Sequence, residues 1–309
     1  LFLRRQWVLG RAYRYITPGE MYSDYYGGNS IRMLTVLVAF LFSVPYLGVQ
    51  LRASGDLFSV LTDGLVNPNT GMIALSTVVM IYVASGGLRS VAFVDCAQAV
   101  LLALGIAILG GIVIYYAGGW GGFTASFAEV VRNDLALDNN LTSDGFSSKV
   151  ALPGSIQFVS SGAQSIGGGW TGIMCMTYMF ALMGIQSSPA FSMWAYSNKT
   201  SRAFRWQQVV ASSLVIGVIL FSFTIIQGIG GHVLIEKGVI ENATDKNLIP
   251  QLINLLSDSA PWLVGLLAVC ALAAMQSTGA AYMSTFSAMV TKDIYTRYVS
   301  PKASDKEQK

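Results

Sequence analysis

Long runs of apolar residues, separated by short polar segments, dominate this chain. Six runs are long enough to cross about 30 Å of hydrocarbon as helices. They lie near 33–53, 71–88, 92–117, 170–196, 207–231 and 262–290, the second being the shortest. Before them, Leu1–Arg32 reads as a basic approach segment with a turn at Thr17-Pro18-Gly19-Glu20. Proline suits the first turn of a short helix there, and Glu20 its positive end. Short surface helices are expected around Thr124–Arg132 and within Glu236–Asp258. The pattern predicts an all-α integral membrane protein with one transmembrane core over 33–291. It is flanked by 1–32 and 292–309 and carries outer loops 118–169 and 232–261.

Two of the runs carry interruptions. The first holds Pro45 beside Tyr46, followed by Gln50 and Arg52; the fourth holds Gly184-Ile185-Gln186-Ser187-Ser188-Pro189 in mid-span. Pro189 removes a donor and clashes with the carbonyl four residues back, while Gly184 tolerates unwinding. The segment is either a simple proline kink or a broken helix whose freed backbone groups face protein or a watery cavity. Gln186, Ser187 and Ser188, placed at the break, favour the cavity.

The last run, Ala271–Tyr295, contains Ser277, Thr278, Ser284, Thr285 and Ser287 and ends in Lys292-Asp293. Ser277 and Thr278 follow Ala274 by three and four residues and so share its helix face. Two hydroxyls and a backbone carbonyl pointing together suit a small hard cation. The alternative is that each hydroxyl bonds its own i−4 carbonyl or a neighbouring helix.

Composition supports the membrane reading. Only 11% of residues are charged and mean hydropathy is +0.54, against about 25% charged in soluble domains. Fourteen of the 19 Lys and Arg residues fall in Leu1–Arg32, at Arg89, in Lys199–Arg205 and after Thr291. The alternate loops hold only Arg132, Lys149, Lys237 and Lys246, against a larger number of acidic residues. Positive-inside bias therefore places both chain ends in the cytoplasm and loops 54–70, 118–169 and 232–261 outside. The basic excess is a topological signal, so no nucleic-acid partner is expected. Cys96, Cys175 and Cys270 have no metal or disulfide spacing, and His232 is the only histidine. With no metal-ligand cluster, phosphate loop or G-x-S-x-G elbow, an enzyme is not expected. Asn140-Leu141-Thr142 and Asn242-Ala243-Thr244 form glycosylation sequons on the predicted outer side. The chain opens at Leu1 without methionine or signal peptide and reads as part of something longer.

The stretch Ser85-Gly86-Gly87-Leu88-Arg89-Ser90-Val91-Ala92-Phe93-Val94-Asp95-Cys96-Ala97-Gln98 resembles the signature of the sodium:solute symporter family. Thr17-Pro18-Gly19-Glu20 before Tyr25-Tyr26 is similar to that family's first cytoplasmic loop. Ser277-Thr278 through Thr291-Lys292-Asp293-Ile294-Tyr295 resembles its sodium-site helix. The resemblance implies the leucine-transporter inverted-repeat fold, with the six spans here standing for core helices three to eight. It further implies that the partner broken helix of the sodium site lies outside this sequence, so the fragment alone is expected not to transport.

By the same resemblance, Ala274 offers its carbonyl and Ser277 and Thr278 their hydroxyls to Na⁺. Some family members hold a second sodium with serines at the positions of Ala280 and Ala281, together with the aspartate matching Asp95. Here both small positions are alanine, so one ion is expected. Asp95 is left to pair with Arg89 or cap its helix, since placing it deep in lipid costs about 2.5–3.5 kcal/mol. Tyr46, in a span where Leu57-Phe58 also aligns, matches a substrate-side tyrosine of sodium/proline symporters. The aromatic pair those symporters place on the broken helix falls instead on Ala181 and Ile185, which argues against proline.

Tyr46, Gln50, Gln186, Ser187 and Ser188 are the candidate solute contacts; for Tyr46 and Gln50, helix-packing glue is the alternative. Gly184 and Pro189 are the candidate gating positions, with Asp95 and Arg89. The implied activity is sodium-coupled symport of a small organic acid or amino acid through a plasma membrane, by alternating access. The rival is a symporter-like sensor module of a signalling protein; a channel is a further alternative. The sequence leaves the oligomeric state open.

Overall fold

The computed structural model describes residues 2–138, 141, 146, 147, 149, 171–241, 247–304, 307 and 308. Both sequons include residues outside that set. The described residues are helical throughout, apart from turns and one isolated bridge between Leu141 and Ser147. The short leading helices are α1 (Phe2–Tyr13) and α2 (Pro18–Tyr26), followed by α3 (Asn29–Leu61) and α4 (Pro68–Tyr116). Then come α5 (Gly119–Ala136), α6 (Gly172–Gly184), α7 (Pro189–Ser197) and α8 (Arg202–Trp206). The last three are α9 (Phe221–Glu236), α10 (Leu248–Asn254) and α11 (Pro261–Met289). A π-helical run, Gln207–Leu220, joins α8 to α9, and another, Val290–Val299, extends α11.

Four helical stretches are long and apolar enough to cross a membrane: Asn29–Leu61, Pro68–Tyr116, Phe204–Glu236 and Pro261–Val299. The second covers two of the six predicted spans. Its 49 residues would reach about 74 Å if straight, more than twice the hydrocarbon thickness. Gly87 interrupts it with φ 59° and ψ −164°, a conformation open in practice only to glycine. Along a straight helix Tyr82 and Gln98 would be about 24 Å apart. Yet the Tyr82 hydroxyl donates to the Gln276 carbonyl and the Gln98 amide to Gln276 Oε1. Leu75, Val79 and Val91 also share one buried cluster with Ala280. The two arms of α4 fold back on each other at Gly87, where the Gly-Gly turn was expected.

The interruption expected at Pro45 is not realised: α3 is helical from Asn29 to Leu61. Proline removes one donor only, and the flanking turns carry the helix past it. The break in the fourth predicted span is realised. α6 stops at Gly184, Ile185–Ser187 form one 3₁₀ turn, and α7 starts on Pro189. Neither half is long enough to span alone. Short helices are present where two were expected, as α5 and α10, the latter with Leu248, Pro250, Leu252 and Ile253 buried.

The chain divides into two compact units. The first comprises Leu1–Gly105, Gln186–Val218 and Leu256–Lys309. In it α11 lies along α3 and α7, α1 lies on α7, and α2 on α3. Val36, Ala39, Met193 and Met289 form a buried cluster, with Phe40 stacked on Phe286 at 4.6 Å. α1 approaches closely at Gly10, where an added Cβ would meet the Tyr196 ring at 2.5 Å.

The second unit comprises Ile106–Ile185 and Ile219–Leu255. Here α9 packs on α5 and α10. Gly230 sits against Val113 and Phe123, and the Gln227 amide donates to the Ile106 carbonyl at 2.8 Å. Lys149 joins Asp134, at 3.3 Å, and Glu236.

Gly87→Ala is expected to destabilise the protein by about 1–3 kcal/mol, the cost of forcing a side chain into that backbone region. Thermal unfolding of the purified protein in detergent would show it as a lowered midpoint.

Candidate functional site

The hydroxyl cluster of α11 is held by its own helix. Ser277 Oγ donates to the Ala274 carbonyl at 3.0 Å and Thr278 Oγ1 to the same oxygen at 3.4 Å. Three oxygens from one turn thus converge, with all three residues half-buried. The arrangement recurs one heptad later, where Ser284 and Thr285 donate to the Ala281 carbonyl at 3.0 and 2.7 Å. There both hydroxyl residues are buried, Thr285 to 1% exposure. Back-bonding alone therefore does not distinguish a site; accessibility separates the first set from the second.

Gln276, which was not among the candidate residues, and the signature residue Gln98 fix this turn of α11. Gln276, between Ala274 and Ser277, accepts the Gln98 amide at 3.0 Å on its side chain and the Tyr82 hydroxyl at 3.4 Å on its carbonyl. Gln276 adjoins the candidate ligands and Gln98 closes the signature motif, so both were visible as polar residues in apolar runs.

Tyr46 reaches α11 through an aromatic row. Its ring meets Tyr282 edge-on at 5.5 Å, and Tyr282 lies 6.3 Å from Phe286. Tyr282 follows Thr278 by four residues on the same helix face, which brings Tyr46 to the hydroxyl side of α11. Gln50 is half-buried on α3. Ser187 and Ser188 sit at the start of α7, where the Ser187 carbonyl accepts Ser192 Oγ at 3.4 Å. Ser188 Oγ is buried without a hydrogen-bond partner among the described residues. No hydrogen bond among the described residues joins Tyr46 or Gln50 to Ser187 or Ser188.

Asp95 makes no ion pair with Arg89, and its Oδ1 is buried without a partner. Six residues on a helix place the two side chains about 120° apart around the axis and about 9 Å along it. Asp95 also stands two turns into its arm of α4, beyond capping reach. The two roles expected for it are not made; Arg89 is exposed at the Gly87 turn.

The π-helical end of α11 forms the most buried polar contact of this unit. Asp293, fully buried, accepts Thr17 Oγ1 at 2.9 Å, and Arg32 Nε stands 3.8 Å from the same oxygen. Thr17 is the N-cap of α2: its hydroxyl accepts the Glu20 N–H at 3.3 Å, while Glu20 Oε2 accepts the Ile16 N–H at 2.7 Å and the Thr17 N–H at 3.3 Å. This capping box supplies a positive helix end beside the carboxylate. A Cβ on Gly19 would fall 2.9–3.0 Å from the Asp293 carboxyl group. The Thr-Pro-Gly-Glu turn and the Thr-Lys-Asp-Ile-Tyr ending, read separately in the sequence, thus form one contact.

Comparison with known proteins agrees with these motifs. A family model described as "Sodium:solute symporter family" matches residues 5–309. The chain is similar to the "Uncharacterized symporter YhjB" of Bacillus subtilis (strain 168), 20% identical over 305 residues, covering 97% of this chain and 55% of the relative. It is also similar to "Sodium/glucose cotransporter 1" of Oryctolagus cuniculus, 26% identical over 125 residues, 40% of this chain and 19% of that protein. The chain thus spans about half the length of the first relative and a smaller share of the second.

Thr17→Val is expected to lower stability by about 1–3 kcal/mol, because it strips a buried carboxylate of its closest donor and uncaps α2. Thr17→Ser, which keeps the hydroxyl, is expected to restore most of that loss. Comparing unfolding midpoints of the two variants checks the assignment.

Proposed function

The chain belongs to the sodium:solute symporter family, an integral membrane family of transporters and not of enzymes, and on that premise we propose that it carries one face of the sodium site of a small-solute symporter. The observation that carries this reading is the convergence of Ser277 and Thr278 on the Ala274 carbonyl on an accessible face of α11. Each hydroxyl now spends its hydrogen on that carbonyl and keeps its lone pairs free. An arriving Na⁺ takes the carbonyl and both hydroxyl oxygens as ligands once the two O–H bonds rotate away. Neutral oxygens suffice for a monovalent ion and leave its charge to respond to the membrane potential, about 2.3 kcal/mol per 100 mV.

One sodium per cycle follows from Ala280 and Ala281, which supply no side-chain oxygen. The solute is a small organic acid or amino acid, bound near Tyr46 and the broken helix. The unpartnered Ser188 hydroxyl at the start of α7 supports a polar contact there, and Gln50, Gln186 and Ser187 are the further candidates. Gly184 and Pro189 delimit the break and serve as hinges. The wider frame is the leucine-transporter inverted repeat, with 33–291 as membrane core, 1–32 and 292–309 on the cytoplasmic side, and a plasma-membrane setting. Sodium binding raises solute affinity by a coupling of about 1–3 kcal/mol, and alternating access releases both inside.

The test is uptake by the full-length protein in proteoliposomes under an inward Na⁺ gradient, with labelled proline, acetate, pantothenate and a hexose. Ser277→Ala and Thr278→Ala are each expected to raise the Na⁺ concentration for half-maximal uptake by about tenfold or more, the loss of one ligand-strength interaction of about 1.4 kcal/mol. Ser284→Ala, in the buried copy of the same motif, is expected to leave it within about twofold. Equal effects at 277 and 284, or uptake indifferent to Na⁺, would refute the assignment.

A further inference from the structure

Away from the α11 site, the first unit contains a cavity of about 920 Å³ between α1 and the segment 201–209. Its floor is Leu3 and Phe204, both buried and joined in one cluster with Ala195. Its polar wall is Arg4, Arg5 and Arg205. None of these three arginines is ion-paired among the described residues, and no acidic residue lines the cavity. The rim is apolar and open: Val8 is 50% exposed and Val209 62%. The face of α1 that carries Leu3 is otherwise committed, since Gln6 Nε2 donates to Ser192 Oγ and Trp7 Nε1 to the Asn198 carbonyl. The arginines and the apolar rim are what α1 leaves unspent.

A ligand that fits must be anionic at one end and apolar over a considerable length at the other. A free anion leaves the floor and rim uncovered, and a purely apolar chain leaves three guanidinium groups without a counter-charge. Guanidinium forks match phosphate oxygens in geometry, and basic pockets beside membrane helices take anionic headgroups. We infer that this cavity is a binding site for one anionic phospholipid, with the phosphate held by Arg4, Arg5 and Arg205 and an acyl chain laid along Val8, Leu9 and Val209. The lipid pins α1 to the segment that leads from α7 into the next long helix. The site is independent of the sodium assignment and stands or falls without it.

The experiment uses full-length protein in mixed micelles with photoactivatable phosphatidylglycerol or its phosphatidylcholine counterpart, and crosslinked peptides mapped by mass spectrometry. Phosphatidylglycerol is expected to label peptides within 2–9 and 204–209 at least about tenfold more than phosphatidylcholine, given three basic side chains at the headgroup. Replacing Arg4, Arg5 and Arg205 together by glutamine is expected to cut that labelling by about tenfold, while Arg202→Gln, on the same short helix α8 as Arg205 but outside the cavity lining, leaves it unchanged. If the triple variant fails to run as a single species on size exclusion, Arg4→Gln and Arg205→Gln singly are each expected to reduce labelling severalfold. Equal labelling by both lipids, or labelling indifferent to the arginines, would mean ordinary lipid contact and overturn the proposal. Loss of labelling on adding excess inorganic phosphate would assign the arginines to a free anion instead. Absence of crosslinks at these peptides would mean that protein, from this chain or a second copy, covers the cavity.

Discussion

A carboxylate buried in the π-helical extension of α11 organises the first unit. Removing an ionised group from water costs several kcal/mol unless donors replace the lost hydration. Asp293 receives one from the Thr17 hydroxyl, with Arg32 and the positive end of α2 adding favourable charge. Those partners come from the leading segment, and since Asp293 Oδ2 has no hydrogen-bond partner among the described residues, burying the carboxylate relies on α2 lying against the base of α11. With α2 fixed, α3 follows after two glycines, and Val36 and Ala39 meet Met289 and Met193 in the cluster that closes around the same region. The packing of three helices is thus tied to one polar contact.

The same economy appears along α11. Its small residues are where neighbours pack: a Cβ on Gly105 of α4 would meet Cys270 of α11 at 2.5 Å, and Ala280 is fully buried among residues of α4. The larger polar residues on the same helix are spent on holding register, as with Gln276 against Gln98. What remains uncommitted on an accessible face is the turn bearing Ala274, Ser277 and Thr278. Bulk and polarity are thus divided along α11 between faces that hold neighbours and a face that does not.

Much of this was legible in the chain. The long spans follow from apolar length alone, the joint at Gly87 from two glycines before an arginine, and the break at Gly184–Pro189 was one of two readings, favoured by the polar residues between a glycine and a proline. Pro45 misled because a proline removes a single hydrogen bond, which a long helix absorbs. The pairing of Asp95 with Arg89 failed on helical periodicity, since six residues bring side chains to different faces. The π-helical runs 207–220 and 290–299 leave no mark in composition. The burial of Asp293 was hidden because its partners, Thr17 and Arg32, lie at the other end of the chain; each motif was readable, but their meeting depends on tertiary packing. For the hydroxyl cluster, pattern did not suffice at all, because the motif occurs twice and only exposure tells the copies apart.

With Gly87 alone between its arms, α4 has one joint and no loop. Any shift of one arm is therefore passed to the other through the backbone of a single residue. A loop of ordinary length at this point would take up such a shift and leave the arms free to settle separately against α11.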